Sequence, residues 1–284
     1  MSEPARAFPA ASAAMHAPAV IFSWRRVGAM LLRHLYVLRR SWPRILELAY
    51  WPTVQLVLWG FITTFFIQHS SWVAQAAGVL VSAVLLWDVL FRSNLGVSLS
   101  FIEEIWSRNL GHLFVSPLRP YELVASITIM GFLRTVVSIA PAALLAWPLF
   151  DVWVFGLGPP LIAFFANLLV MGWAIGLFSS AIVLRFGVAA ENICWLGIFL
   201  LAPVSAVYYP VATLPGWLQG VAWALPSAYV FEGMRAVLYQ NVFRGDLMLA
   251  AVLLNVLYLA LAAGFFLWMC RVARIRGLLL RQGE

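Results

Sequence analysis

The sequence contains no lysine: all 18 of its basic residues are arginine. A phosphate-binding loop of the GxxxxGK[ST] kind needs a lysine to reach the β- and γ-phosphates, so these 284 residues supply no such site. Charge of either sign is scarce, at 10% of residues against 64% hydrophobic. A chain so poor in charge, with apolar runs too long for the interior of a soluble domain, reads as an integral membrane protein. Cys194 and Cys270 both fall in or beside apolar runs; they make no disulfide framework or metal cluster and read as buried thiols. His16, His34, His69 and His112 are scattered, and no HExxH, CxxC or GxSxG pattern occurs, so no metalloprotease or serine-hydrolase site is visible. No catalytic residue, metal site or cofactor bound by this chain is expected. The net charge of +7 does not point to nucleic acid, because the arginines sit in short segments between apolar runs rather than on a soluble face.

A spanning helix needs ~20 mostly apolar residues, since each residue rises ~1.5 Å through a hydrocarbon layer ~30 Å thick. Segments 45–67, 74–99, 123–150, 157–184, 193–209 and 247–270 qualify, the third interrupted by Pro141 and Pro148. Arginine is concentrated before the first segment (Arg6, Arg25, Arg26, Arg33, Arg39, Arg40, Arg44) and around the second connection (Arg92, Arg108, Arg119). It recurs at the start of the fourth connection (Arg185) and after the last span (Arg271, Arg274, Arg276, Arg281), while the remaining connections hold only Arg235 and Arg244. Cytoplasmic segments carry the arginine excess, which puts both termini inside a bacterial cytoplasmic membrane. Trp42, Trp51, Trp72, Trp147, Trp153, Trp217 and Trp223 fall near span ends or in outer connections, as an aromatic belt does.

Residues 1–22 read as a disordered cytoplasmic tail: small residues mimic a cleavage site, yet no apolar core of ~7–15 residues precedes them. Residues 23–42 place Trp24, Val27, Leu31, Leu35 and Leu38 on one helical face and Arg26, Arg33 and Arg40 on another. That pattern fits a helix lying in the membrane surface with its arginines near lipid phosphates, the alternative being a soluble extension of the first span. Pro43 separates it from that span. Residues 43–270 form the six-span domain, and 271–284 a basic cytoplasmic tail.

Three charged residues lie within spans, where ionisable groups are costly and tend to be functional. Asp88 and Arg92 share a helical face, either as a mutual ion pair or as part of a translocation path. Arg134 either snorkels to the cytoplasmic boundary or faces an interior cavity. Between the second and third spans, EEIWSRNLGHLFVSPLRPYE is charged and proline-broken. Residues 103–113 read as a short helix interrupted at Gly111, with Glu103 and Glu104 complementing its dipole; Pro117 and Pro120 then force an extended turn before a new helix near Glu122. On the opposite side, YYPVATLPGWLQGVAWALPSAYVFEGMRAVLYQ is divided by Pro210, Pro215 and Pro226 into pieces too short to cross, with Glu232 and Arg235 spaced to pair. No repeat of period 20–50 residues and no inverted repeat is visible, which weighs against a secondary transporter.

In the order and spacing of these features, over most of residues 24–280, the chain resembles the permease subunits of ABC-2 type exporters. The features that carry the likeness are the amphipathic first helix, six spans, VSPLRPYELVAS after the second, and the proline-broken segment before the sixth. The resemblance implies an all-α integral membrane fold of the type V exporter kind, with an amphipathic connecting helix (24–40), a cytoplasmic coupling helix within 103–122 and outer re-entrant helices. Glu103, Glu104, Arg108, His112, Pro117, Arg119 and Glu122 would then meet a separate ATPase, with Arg185 and Glu191 in a second contact. Pro210, Pro215, Pro226, Glu232 and Arg235 would belong to the re-entrant segment. It further implies two permease copies, as a homodimer, with two ATPase subunits that bind ATP and Mg, exporting a lipid-linked polysaccharide, a lipo-oligosaccharide or a drug. The competing readings are an ion- or proton-coupled secondary transporter using Asp88, Arg92 and Arg134, and a membrane enzyme acting on lipids through Glu232 or Asp151.

Overall fold

The computed structural model describes residues 22–69, 73–151, 153, 156 and 158–277. The tail expected over 1–22 lies outside them apart from Phe22, as do Trp72 and Arg281. The described chain is helical: α1 (Trp24–Arg40), α2 (Trp42–His69), α3 (Val73–Trp106), α4 (Leu110–Val115), α5 (Pro120–Phe150), α6 (Pro159–Phe186), α7 (Ile193–Leu201), α8 (Gly216–Trp223), α9 (Pro226–Gln240) and α10 (Gly245–Ile275). Among the described residues, α2, α3, α5, α6 and α10 are the five helices long and apolar enough to cross a membrane.

Proline mostly starts elements here. Pro120 opens α5, Pro159 opens α6 and Pro226 opens α9, each where a missing N–H costs nothing. Pro43 likewise sits in the first turn of α2, two residues after the break at Ser41. The interruption expected at Pro141 and Pro148 is absent: α5 runs continuously through both, as proline in a spanning helix can when neighbouring groups re-satisfy the backbone. The helix ends instead at Asp151, whose left-handed conformation (φ 55°) turns its N–H back onto the carbonyls of Ala146 and Trp147.

α3 is the hub, packed against α2, α5, α6, α7 and α9. Small residues let its neighbours approach closely. A Cβ at Gly96 would lie 2.9 Å from the Gly131 Cα of α5, and one at Gly172 of α6 would lie 2.7 Å from the Leu90 carbonyl oxygen. Ser93 and Asn94 then bridge helices, donating to the carbonyls of Leu169 (2.7 Å) and Cys194 (2.9 Å). Two apolar cores result. One holds Leu90, Phe164, Leu168, Phe231 and Met234; the other, at the α4 end, holds Phe101, Leu110, Ile127, Phe266 and Met269.

Pairings along the helices fix their directions. Asn255 donates to the Asn167 carbonyl (3.0 Å) and side-chain oxygen (2.9 Å), while Phe265 stacks on Phe178, so α6 and α10 run parallel. The chain between them must therefore return along the length of α6. Cys194 packs with Ile102 and Val183 near the α4 end, Ile198 joins the other core, and Val207 lies there too. The expected fifth span, 193–209, is thus only partly helical. α7 stops at Leu201, because a proline at position 203 has no N–H to continue the ladder and its ring crowds the preceding turn, although Ala202 itself keeps helical dihedrals. Residues 202–209 continue as turns, with Ala206 at φ 54°.

Candidate coupling element and membrane groove

The charged connection after α3 differs from the single short helix expected over 103–113. Glu103 and Glu104 belong to the last turn of α3, a turn at 107–109 with Arg108 at φ 54° follows, and α4 occupies only Leu110–Val115. Leu110 and the Phe114 ring anchor α4. Leu110 is buried with Met30, Leu184 and Cys270, and the Arg274 guanidinium of α10 lies 5.0 Å from the centre of the Phe114 ring. His112, Val115 and Pro117 are exposed, and Val115 at 89% is the most exposed large hydrophobic residue of the described chain.

Both flanks of α4 are tied to α1. On the α3 side, Glu104 is 2% exposed; its Oε1 meets Arg33, with the His34 ring 3.4 Å away, and its Oε2 accepts from Asn109 Nδ2 at 2.7 Å. On the α5 side, the buried Glu122 accepts from Arg26 Nη2 (2.5 Å) and Nε (2.8 Å), and from the backbone N–H of Ser23 (2.8 Å) and Arg119 (3.0 Å). The hydrogen bond to this carboxylate raises the Arg26 guanidinium above its ordinary pKa. Arg26 and Arg33, expected to meet lipid phosphates, instead act as staples from α1 to the ends of α5 and α3. A charge pair with a protein carboxylate satisfies the same guanidinium with fixed geometry. Arg40 remains exposed.

Glu103 turns the other way, into the bundle. Its Oε2 accepts from Arg134 Nη2 at 2.6 Å and its Oε1 from Arg44 Nη1 at 3.2 Å, linking α3 to α5 and to the start of α2. Glu103, Glu104 and Glu122, expected to face a partner protein, are therefore engaged within this chain, while Glu191 lines a cavity. Arg119 caps α5 with its guanidinium 5.9 Å from the Tyr121 ring centre, and Arg185 ends α6 exposed beside Phe186.

Between α2, α3, α5 and α7 runs a groove. Near the α4 end it holds a cavity of 230 Å³ lined by Arg44, Glu103, Arg134 and Glu191 among apolar side chains. Further along is a cavity of 460 Å³ with Asp88, Glu47, Gln55 and many aromatic rings; Arg92, Glu47, Trp51 and Trp195 line both. Arg134, 5% exposed, lines the smaller cavity and reaches toward the α4 end through Glu103. Asp88 and Arg92 do share a face of α3, but no hydrogen bond or ion pair within 4.0 Å joins them; Asp88 Oδ2 and Arg92 Nε have no partner although both residues are over nine-tenths buried. Glu47 was not among the residues singled out from sequence. Its one signal was an acid inside the first apolar segment.

At the far end the expected Glu232–Arg235 pair forms, at 3.2 Å. Glu232 also accepts from the Val211 N–H (2.7 Å), and Arg235 donates to the carbonyls of Ala206 (2.8 Å) and Val207 (3.4 Å). The pair thereby fixes the turns after α7 to α9. Pro210 precedes a short 3-10 turn (Val211–Thr213) and Pro215 precedes α8.

A polytopic helical membrane protein, with a short helix strapped between the ends of two long ones and a charged groove beside them, is the class this architecture defines. The family model for ABC-2 type transporters matches residues 28–239, from within α1 almost to the end of α9. The chain belongs to that family: it is the membrane domain of an ABC transporter permease, and family membership implies partnership with an ABC ATPase. Among curated proteins, none matches the chain.

Proposed function

We propose that this chain is the permease subunit of an ATP-driven exporter, energised by ABC ATPase subunits on separate polypeptides that bind ATP and Mg. The observation that carries the reading is α4, held between α3 and α5 with both flanks stapled to α1 through Glu104 and Glu122. A push on so small an element cannot be absorbed locally. It passes to α3 and α5 directly and to α1 through two ion pairs, and α10 follows through Arg274 and Phe114. The partner surface is then made by Arg108, His112, Val115, Pro117 and Arg185, while Glu103, Glu104 and Glu122 hold the lever rather than touch the ATPase.

The stretch 187–209 supplies a sixth crossing, in keeping with the parallel run of α6 and α10. Both termini then lie with α4 on the cytoplasmic side of a bacterial inner membrane, where the arginine excess belongs. α8 and α9 are the re-entrant outer helices, pinned by Glu232 and Arg235. The groove along α2 and α7 opens on a face carrying exposed Trp51, Phe61, Phe199 and Leu200, and a second copy of the chain closes it into a path for an amphiphilic or lipid-linked substrate.

The test is purification of the tagged chain from membranes in which a candidate P-loop ABC ATPase is co-expressed, followed by transport in proteoliposomes. The reading expects the ATPase to co-purify and transport to require ATP. Transport driven by a pH gradient without ATP would overturn it in favour of ion coupling through Asp88, Arg92 and Arg134.

A further inference from the structure

The 460 Å³ cavity between α2, α3 and α7 is built for a positively charged organic molecule. Its volume suits a drug-sized ligand, for which cavities of ~300–1,000 Å³ are usual. Its walls are unusually aromatic: Trp51 and Trp59 come from α2, Trp87 and Phe91 from α3, and Trp195 and Phe199 from α7. The rings are fixed against one another, with Trp59 stacked on Tyr208 at 5.2 Å and Phe91 against Trp195 and Phe199 at 5.8 and 5.5 Å. Aromatic faces carry negative partial charge and attract cations, most strongly when water is excluded. One cation already uses them: the Arg92 guanidinium lies 5.3 Å from the centre of the Phe91 ring.

The charged groups lining the cavity are two carboxylates, Asp88 and Glu47, against the single guanidinium of Arg92. Asp88 is 5% exposed, and its Oδ2 has no hydrogen-bond partner. A buried carboxylate oxygen without a partner is costly, and neither an apolar molecule nor an anion relieves that cost. An anion finds only Arg92 and is opposed by two carboxylates and the ring faces. We propose that this cavity is a binding site for lipophilic organic cations, with Asp88 as the buried counter-ion, Glu47 as the second carboxylate on the α2 wall, and the tryptophans as the cage. The inference deepens the export reading by giving the cargo its charge, and it rests on that reading only in calling the occupant a substrate.

The probe pair is tetraphenylphosphonium and tetraphenylborate, which share shape and apolarity and differ in sign. The full chain in lipid nanodiscs is titrated with each, read by tryptophan fluorescence with empty nanodiscs subtracted. Saturable quenching by the cation is expected, with the anion weaker by on the order of tenfold or more. Asp88→Asn should raise the cation Kd on the order of tenfold or more, and Glu47→Gln, on an exposed residue, by about two- to fivefold. Should Asp88→Asn fail to elute as a monodisperse species, Glu47→Gln decides. Equal or tighter binding of tetraphenylborate, no saturable binding of either ion, or a Kd unmoved by the variants overturns the proposal. Stimulation of the partner ATPase, measured on the same preparation, separates the two readings: lost cation binding with stimulation intact strikes only this site, and the reverse strikes only the export reading.

Discussion

Replacing Glu103 by Gln removes the counter-ion of Arg134 while keeping the shape of the side chain. Arg134 is 5% exposed and Glu103 15%, and the Arg134 Nε already lacks a partner, so the carboxylate is what compensates this buried cation. Breaking a fully buried pair costs ~3–5 kcal/mol. Here Glu103 borders a cavity and glutamine still accepts one hydrogen bond, which brings the expected loss to about 2–3 kcal/mol. At roughly 2–4 °C per kcal/mol for a chain of this size, the apparent Tm falls by about 4–12 °C. The assay is thermal unfolding of the detergent-purified chain, followed by loss of the monodisperse peak on size exclusion. The double variant Glu103→Gln/Arg134→Leu, which removes the charge left behind, should melt closer to wild type than Glu103→Gln does, because the penalty lies in the orphaned cation. A Glu103→Gln Tm within about 1 °C of wild type, or a double variant worse than either single, would refute the reasoning.

Exchange of the staple, Arg33→Glu with Glu104→Arg, should recover part of the stability that each single reversal loses, as read by the same melting assay; equal loss in all three would remove the ion pair's role. Gly172→Val should weaken α3–α6 packing by about 1–3 kcal/mol or prevent folding, since its Cβ would meet backbone at Leu90, whereas Gly264→Ala, with open space around it, should melt like wild type. Asn255→Leu should cost only about 0.6–1.7 kcal/mol, the range for a hydrogen bond between spanning helices, and a larger fall would show that the Asn167 contact does more than join α6 to α10. A cysteine at Val115 should react with a membrane-impermeant maleimide only from the cytoplasmic side and one at Trp217 only from the outside, while the buried Cys194 and Cys270 stay silent.

The long helices were legible because each needs only an uninterrupted apolar run, and length alone separates a span from a core helix. Their interruptions were less so. Pro141 and Pro148 looked like breaks and are not, whereas the run after Ile193 looked like a span and loses its helix at Leu201, because a proline's effect depends on what neighbouring helices offer the backbone. The Glu232–Arg235 pair was legible, being three residues apart on one helix. The partners of Glu103, Glu104 and Glu122 lie 31, 71 and 96 residues away, for Arg134, Arg33 and Arg26, and no local spacing encodes them. Charge in the α3–α5 connection was visible, but its direction was not. Reading those acids outward was the natural inference for a cytoplasmic loop, and tertiary packing turned them inward. The groove was invisible for the same reason: Trp51, Trp87 and Trp195 are far apart in sequence, and α2, α3 and α7 bring them together.

The claim that α4 receives force from an ATPase is tested most directly by cross-linking. Val115→Cys, in the assembled complex with the co-purified ATPase, is treated with a short bifunctional thiol reagent against single cysteines on the ATPase surface. Efficient cross-linking from position 115, with ATP-driven transport blocked by the link and restored on its cleavage, is the predicted result. An ATPase that cross-links elsewhere while position 115 stays unreactive, or transport that continues with the link in place, would contradict the account.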